Sequence, residues 1–345
     1  TLIKRAYNNQ QVRKIALNSA YGAMANQYFA FFSIDMAEAI TLSGQLAIRW
    51  AEKIVNEYLN NVLKTEDEDY VIAIDTDSIY ITMDKLVQQV LPDAPKDKVI
   101  DFLSKAETQI EDVLEKGFVD LADYTNAFEQ KMEMGREVIA DRGIWTAKKR
   151  YILNVHDNEG VRLTTPKLKM MGIETAKSST PLWVRKKLEQ ALNVVMTGDE
   201  QELWQFVETA RKEFRNLPAE DASFPRGCRG LIQYQDPTTI YSKGTPIHVR
   251  GALLYNHHLR EKSLDMRYET IKNGEKIHFT YLTTPNPINE NVISFTSVLP
   301  KEFDLHRFVD YDMQFDKSFV EPLKAIVQLI NWNVEPVASL DSFFS

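Results

Sequence analysis

Residues 70–84 read YVIAIDTDSIYITMD. Runs of β-branched and aromatic residues flank Asp75, Thr76 and Asp77, so the spacing predicts two strands joined by a tight turn. The apolar flanks, 71–74 and 79–83, would anchor that turn in a core, and the turn would present both carboxylates outward. Neighbouring carboxylates repel unless they share a proton or bind cations. Mg²⁺ prefers carboxylate oxygens and substrate phosphates. An ordinary Asp-rich turn has the same composition, so this stretch alone leaves both readings open. The glycine and terminal glutamate of a calcium loop are missing, and no Gly-rich phosphate loop of the Walker or kinase type occurs.

Helices are predicted over 3–25 and 34–60, the second with Ala47, Trp50, Ala51, Ile54 and Tyr58 on one stripe. Residues 97–130 read as helical and acidic. A hairpin around DNEG is predicted from RYILNVHD (150–157) and VRL (161–163). Two amphipathic helices with a turn at Gly198 are expected over 181–215. Residues 218–250 read as loop-rich, 266–296 as strands, and 317–331 as helix. The pattern is mixed to about residue 170 and mainly helical after it.

The chain has 345 residues, 44% of them hydrophobic, enough for two or three domains with real cores. Its net charge of −8 argues against a uniformly basic nucleic-acid binder. The charge is uneven, however. Residues 1–24 hold Lys4, Arg5, Arg13 and Lys14 and no acid, whereas 60–130 are acidic. One cysteine, Cys228, excludes an internal disulfide framework and a cysteine-rich zinc site and fits a reducing setting. No run of about eighteen apolar residues predicts a membrane span, and no signal-peptide pattern opens the chain.

Two further stretches carry chemistry. In VRKIALNSAYGAMAN (12–26), Lys14, Asn18 and Tyr21 fall within about a 60° arc of one helix face. An ammonium serves phosphates, and a ring stacks on a base or sugar; a solvated polar stripe beside a core tyrosine has the same spacing. In AKKRYIL (147–153), three cations enter an apolar strand. Alternation would send Lys149 and Tyr151 to one face and Lys148 and Arg150 to the other. Such a cluster suits a nucleic-acid backbone, and equally a solubilising strand edge.

The ordered set KIALNSAYG, DTDS and KKRY resembles family B DNA polymerases, most of all the replicative enzymes of T-even-type bacteriophages. KLKMMGIETAKSSTP (167–181) and HVRGALLY (248–255) are similar to thumb segments of that group, and ASLDSFF (338–344) to its clamp-binding end. The resemblance implies an α+β fold: a palm with an antiparallel sheet and packed helices, followed by a mainly helical thumb. It divides the chain into a second fingers helix (1–26), palm (27–171), thumb (172–335) and clamp-binding tail (336–345).

By the same resemblance, Asp77 is a metal ligand and Asp75 a less direct participant, with Glu137 a palm acid near the metals. Lys14 and Asn18 would meet the incoming deoxynucleoside triphosphate, Tyr21 would lie under the nascent pair, and Gly22 would let the template approach. Lys148, Lys149, Arg150 and Tyr151 would hold primer-template DNA, with Lys167, Lys169, Lys177 and Arg250 contacting phosphates from the thumb. Leu340, Phe343 and Phe344 would anchor the tail in a sliding clamp. The implied reaction is two-metal phosphoryl transfer with two Mg²⁺ ions, in the cytoplasm of an infected bacterial host, with no membrane partner.

The sequence departs from the family in three places that bear on the site. Ile74 stands where relatives carry Gly, Gly135 stands where close relatives carry Asp, and no DxxSLYPS-like motif supplies a further metal-binding Asp. The chain is therefore expected to be a C-terminal polymerase portion, inactive until an N-terminal portion supplies that Asp, the first fingers helix and the exonuclease. Two other readings fit the same residues: a non-catalytic DNA-binding subunit and a metal-dependent nuclease.

Overall fold

The base of the carboxylate hairpin is tied to a long helix by side-chain amides. The computed structural model describes residues 2–173, 175 and 177–336. Helix α1 spans Leu2–Met24 and α2 spans Ile34–Leu63. Ser33 caps α2, its hydroxyl accepting from Met36 N at 3.3 Å. Ala47, Ala51, Val55, Leu59 and Leu63 recur every four residues and are buried. Trp50, Ile54 and Tyr58 flank that line half-buried, so the predicted stripe is displaced by a fraction of a turn.

Strands β1 (Val71–Asp75) and β2 (Ser78–Ile81) form the expected antiparallel hairpin. Asn56 Oδ1 on α2 accepts from Tyr70 N at 2.8 Å and Val71 N at 3.0 Å. One turn on, the Asn60 amide accepts from Glu68 N and donates to Glu68 O. Tyr70, 1% exposed, lies in the α2 core, and its hydroxyl meets Thr65 Oγ1 at 2.8 Å. Burial of side chains such as Val55, Leu59 and Tyr70 contributes about 1.5–3 kcal/mol each.

Helices α3 (Asp84–Val90) and α4 (Lys96–Tyr124) follow. Helix α4 closes on α2 at Gly117, whose carbonyl accepts from Trp50 Nε1 at 2.8 Å. A Cβ there would sit 2.1 Å from Ile54 Cδ1, so a larger residue would displace the tip of the Ile54 side chain.

Strands β3 (Val138–Ala147), β4 (Arg150–Asn158) and β5 (Val161–Met171) build a sheet in the order β3–β4–β5. The chain divides into two compact units, Thr1–Ile139 with His156–Leu163, and Ala140–Val155 with Thr164–Ser345, so these strands run through both.

In the second unit, α5 (Leu182–Thr197) and α6 (Glu200–Phe214) are the two expected amphipathic helices. Asp199 caps α6, accepting from Glu202 N at 2.9 Å. The region read as loop-rich holds α7 (Ala219–Ala222), β6 (Phe224–Gly227), α8 (Leu231–Tyr234), β7 (Gln235–Asp236) and β8 (Ile240–Tyr241). It also holds the start of α9 (Ile247–Glu261). Helix α9 buries Val249, every residue from 251 to 256, and Leu259. A helix buried on most sides has no polar stripe, which is why periodicity did not reveal it.

Strands β9 (Lys276–Tyr281) and β10 (Val292–Phe295) complete an antiparallel sheet in the order β10–β9–β6, which packs on α9. The part expected to be mainly helical thus carries a sheet as one wall of its core. Gly251 marks the closest approach, since a Cβ there would lie 2.5 Å from Ser294 Oγ and 2.8 Å from its backbone nitrogen. Burial, and then the charge of Glu275, push the Cys228 thiol up to about 11, which leaves it inert.

Helices α10 (Tyr311–Phe315) and α11 (Glu321–Val327) flank a π-helical turn, Asp316–Val320. Pro322, with no N–H to offer, lies two residues past the end of that turn and accounts for its widening.

Asn56→Ala should strand the two amides at the hairpin base and cost about 1–3 kcal/mol. A denaturant melt would register the loss; an unchanged midpoint would show that α2 does not hold the hairpin.

Candidate functional site

The turn is closed by hydrogen bonds that converge on Asp75. Asp75 ends β1 opposite Ser78, and Thr76 and Asp77 form the loop, with Thr76 at φ 58°. Asp77 N donates to Asp75 O at 2.7 Å, and Ser78 Oγ donates to the same oxygen at 3.1 Å. Thr76 Oγ1 donates to Asp75 Oδ1 at 3.1 Å. Asp77 is exposed and Asp75 half-buried. Ile74 pairs with Ile79 and packs against the α2 core, so its side chain has a place in the strand. The two carboxylates are hard oxygen donors of the kind Mg²⁺ takes. Among the described residues they join no convergent group of three metal-ligating side chains.

Lys14, Asn18 and Tyr21 share a face of α1, as predicted, and all three are exposed, Tyr21 by 39%. Indeed α1 buries no residue: Leu2, Ile3, Tyr7, Val12, Ile15 and Leu17 are also exposed. Gly22 has no atom within 4 Å of a Cβ position, so no packing inside this chain requires a glycine there. Glycine inside a helix costs about 1 kcal/mol relative to alanine.

Glu137 directly precedes β3 and, like the hairpin acids, belongs to the first unit. It is exposed, and its carbonyl accepts from Glu159 N at 2.7 Å. Its neighbour Arg136 is the centre of an ion network that the sequence did not reveal. Arg136 Nη1 donates to Asp157 at 2.6 Å, its Nε donates to Glu107, and its backbone N–H donates to Glu111 Oε1. Asp157 also accepts from Gly160 N at 3.0 Å. Arg162 extends the network to Asp101 at 2.6 Å. The Arg136 and Asp157 side chains are 15% and 5% exposed. Burial works against the Arg136 charge, and its hydrogen bonds to Glu107 and Asp157 outweigh it, so its pKa is raised. A Cβ at Gly135 would lie an ordinary 3.5 Å from Glu111 Oε1.

The KKRY segment differs from its expected form. Lys148 and Lys149 do not continue a strand; they are the two-residue turn between β3 and β4. Lys149 is left-handed at φ 62°, which no strand accommodates, so alternation starts only at Arg150. Lys148 and Lys149 are exposed, Arg150 is half-buried, and Tyr151 is buried. Gly172 braces the turn: a Cβ there would lie 2.5 Å from the Lys149 carbonyl oxygen.

Lys167 and Lys169 share one face of β5, the first exposed and the second half-buried, and Lys177 is exposed. Arg250 is already engaged. It donates to Asn291, stands 4.0 Å from Glu290, and lies over the Tyr241 ring at 5.6 Å. Leu340, Phe343 and Phe344 lie outside the described residues. Among the described residues, no helix is long and apolar enough to cross a membrane.

Comparison with known proteins places these residues in a family. The family model described as DNA polymerase family B matches residues 2–290. The chain is 35% identical to the DNA-directed DNA polymerase of Enterobacteria phage T4, over 98% of this chain and 39% of that protein. It is 36% identical to that of Escherichia phage RB69, over 96% of this chain and 38% of that protein. DNA polymerase 1 of Aeropyrum pernix is 21% identical over 71% of the chain and 21% of its own length. The chain therefore spans about two fifths of the phage relatives it matches, and it belongs to DNA polymerase family B.

Proposed function

We propose that this chain is the C-terminal portion of a replicative DNA-directed DNA polymerase, extending a primer 3′ end by phosphoryl transfer. The observation that carries the reading is the Asp75–Asp77 turn, exposed at Thr76 and Asp77, at the tip of a hairpin anchored at its base. It occurs in a chain whose two phage relatives are DNA-directed DNA polymerases. We assign 1–26 to the fingers, 27–171 to the palm, 172–335 to the thumb and 336–345 to a clamp-binding tail.

Asp77, assisted by Asp75 and Glu137, would hold part of a two-Mg²⁺ centre. The bound ions would supply the charge that stabilises the pentavalent phosphate and the leaving pyrophosphate. The chain's own work is positioning and neutralisation. Lys14 and Asn18 would face the triphosphate from α1, and Tyr21 would stack beneath the new pair. The Lys148–Lys149 turn, with Arg150 and Tyr151 behind it, would grip the primer backbone. Lys167, Lys169 and Lys177 would add sequence-independent phosphate contacts, and Arg250 would join them only by exchanging Glu290 for a phosphate. An N-terminal portion would complete the metal centre and cover the exposed apolar residues of α1. The working compartment would be the cytoplasm of an infected bacterium.

Primer extension with Mg²⁺, by this chain combined with an N-terminal portion, tests the assignment. Asp77→Ala should slow extension at least about 100-fold. Extension at the parental rate, or degradation of the primer in its place, would contradict the reading. Robust extension by the isolated chain would overturn the need for a second portion.

Gly22→Ala separates function from folding. It should leave α1 as stable or more so, by up to about 1 kcal/mol, and still lower the extension rate. Unimpaired extension would remove the template role of Gly22.

Removal of residues 339–345 should lower processivity with a sliding clamp and spare extension without one. An equal loss in both assays would sink the clamp assignment.

A further inference from the structure

The last turn of α9 carries a cluster that the polymerase reading does not use. His257 and Glu261 are four residues apart and His258 and Glu261 three apart, which brings their side chains to one end of the helix. One ligand atom from each lies within 4.8 Å of the other two, and no other group of three does so among the described residues. His258 Nδ1 and Glu261 Oε2 are 2.8 Å apart. A carboxylate only accepts, so a neutral His258 ring donates its Nδ1 proton to Glu261. The ring is largely buried and packs edge-on to His257 at 5.2 Å and Phe303 at 6.1 Å, which fixes its orientation. Its Nε2 is buried with no hydrogen-bond partner. His257 and Glu261 are exposed.

We propose that His257, His258 and Glu261 bind one divalent transition-metal ion, with Zn²⁺ the best match. Two imidazoles and one carboxylate form the donor set of zinc sites that keep a fourth position for water. Mg²⁺ is a poor fit, because it asks for six oxygens in octahedral array. Helical zinc ligands converge at a spacing of four, as His257 and Glu261 do. The C-terminal turn adds its own partial negative charge, which favours a cation. On binding, the Nδ1 lone pair takes the ion in place of its proton, and the ring proton moves to Nε2. That leaves a buried N–H without a partner, a cost that keeps the expected affinity moderate. The site is independent of the Mg²⁺ chemistry at Asp77 and would clip the end of α9.

Calorimetric titration of the 345-residue chain with Zn²⁺, after chelator treatment and in excess Mg²⁺, tests the site. One equivalent should bind. His257→Ala and Glu261→Gln should each weaken binding at least about tenfold without altering the far-ultraviolet circular dichroism. Both residues are exposed, so neither change threatens the fold. No Zn²⁺ uptake, or uptake that survives both substitutions unchanged, would overturn the proposal.

Discussion

The carboxylate turn depends on two asparagines of a helix. A two-stranded hairpin of four- and five-residue strands is marginal by itself. Here Asn56 and Asn60 satisfy the backbone of the loop that enters it, and Tyr70 seals the junction against the α2 core. At the far end, Asp77 N, Ser78 Oγ and Thr76 Oγ1 all donate to Asp75. The position of the hairpin's base is therefore set by α2.

The first unit treats its acids in two ways. Glu107, Asp157 and Asp101 are satisfied by arginines in a partly buried network. Removing one partner from such a network leaves a charge uncompensated at high cost, so these acids belong to the architecture. Asp77 is placed instead at an exposed turn, where a carboxylate is well solvated and open to a cation. Glu137 lies between the two regimes. Its neighbour Arg136 is locked into the network, while its own side chain is exposed. That arrangement gives a fixed backbone beneath an exposed side chain.

Much of this was legible in the sequence, for reasons that can be traced. The hairpin at 71–81 was readable because alternation and turn chemistry agree over a short span. The α5–α6 pair was readable because each helix keeps a polar face. Helix α9 was not, because its burial on most sides erased the pattern and Gly251 reads as a breaker until its contact with Ser294 is known. The Lys148–Lys149 turn was missed because two lysines carry no turn signal; the left-handed Lys149 is held by its context, with Gly172 packed on its carbonyl. Asn56 reads as one more polar residue on an amphipathic helix, and only the fold shows what it holds. The same is true of Arg136, whose partners are 29 and 21 residues away.

The central claim is that the hairpin turn is one wall of a metal centre. Electron paramagnetic resonance titration with Mn²⁺, on this chain joined with an N-terminal portion, addresses it directly. The account predicts bound Mn²⁺ in the parental protein and loss of that binding in Asp77→Ala, with the fold intact. Mn²⁺ bound in the variant with unchanged stoichiometry and affinity would contradict it.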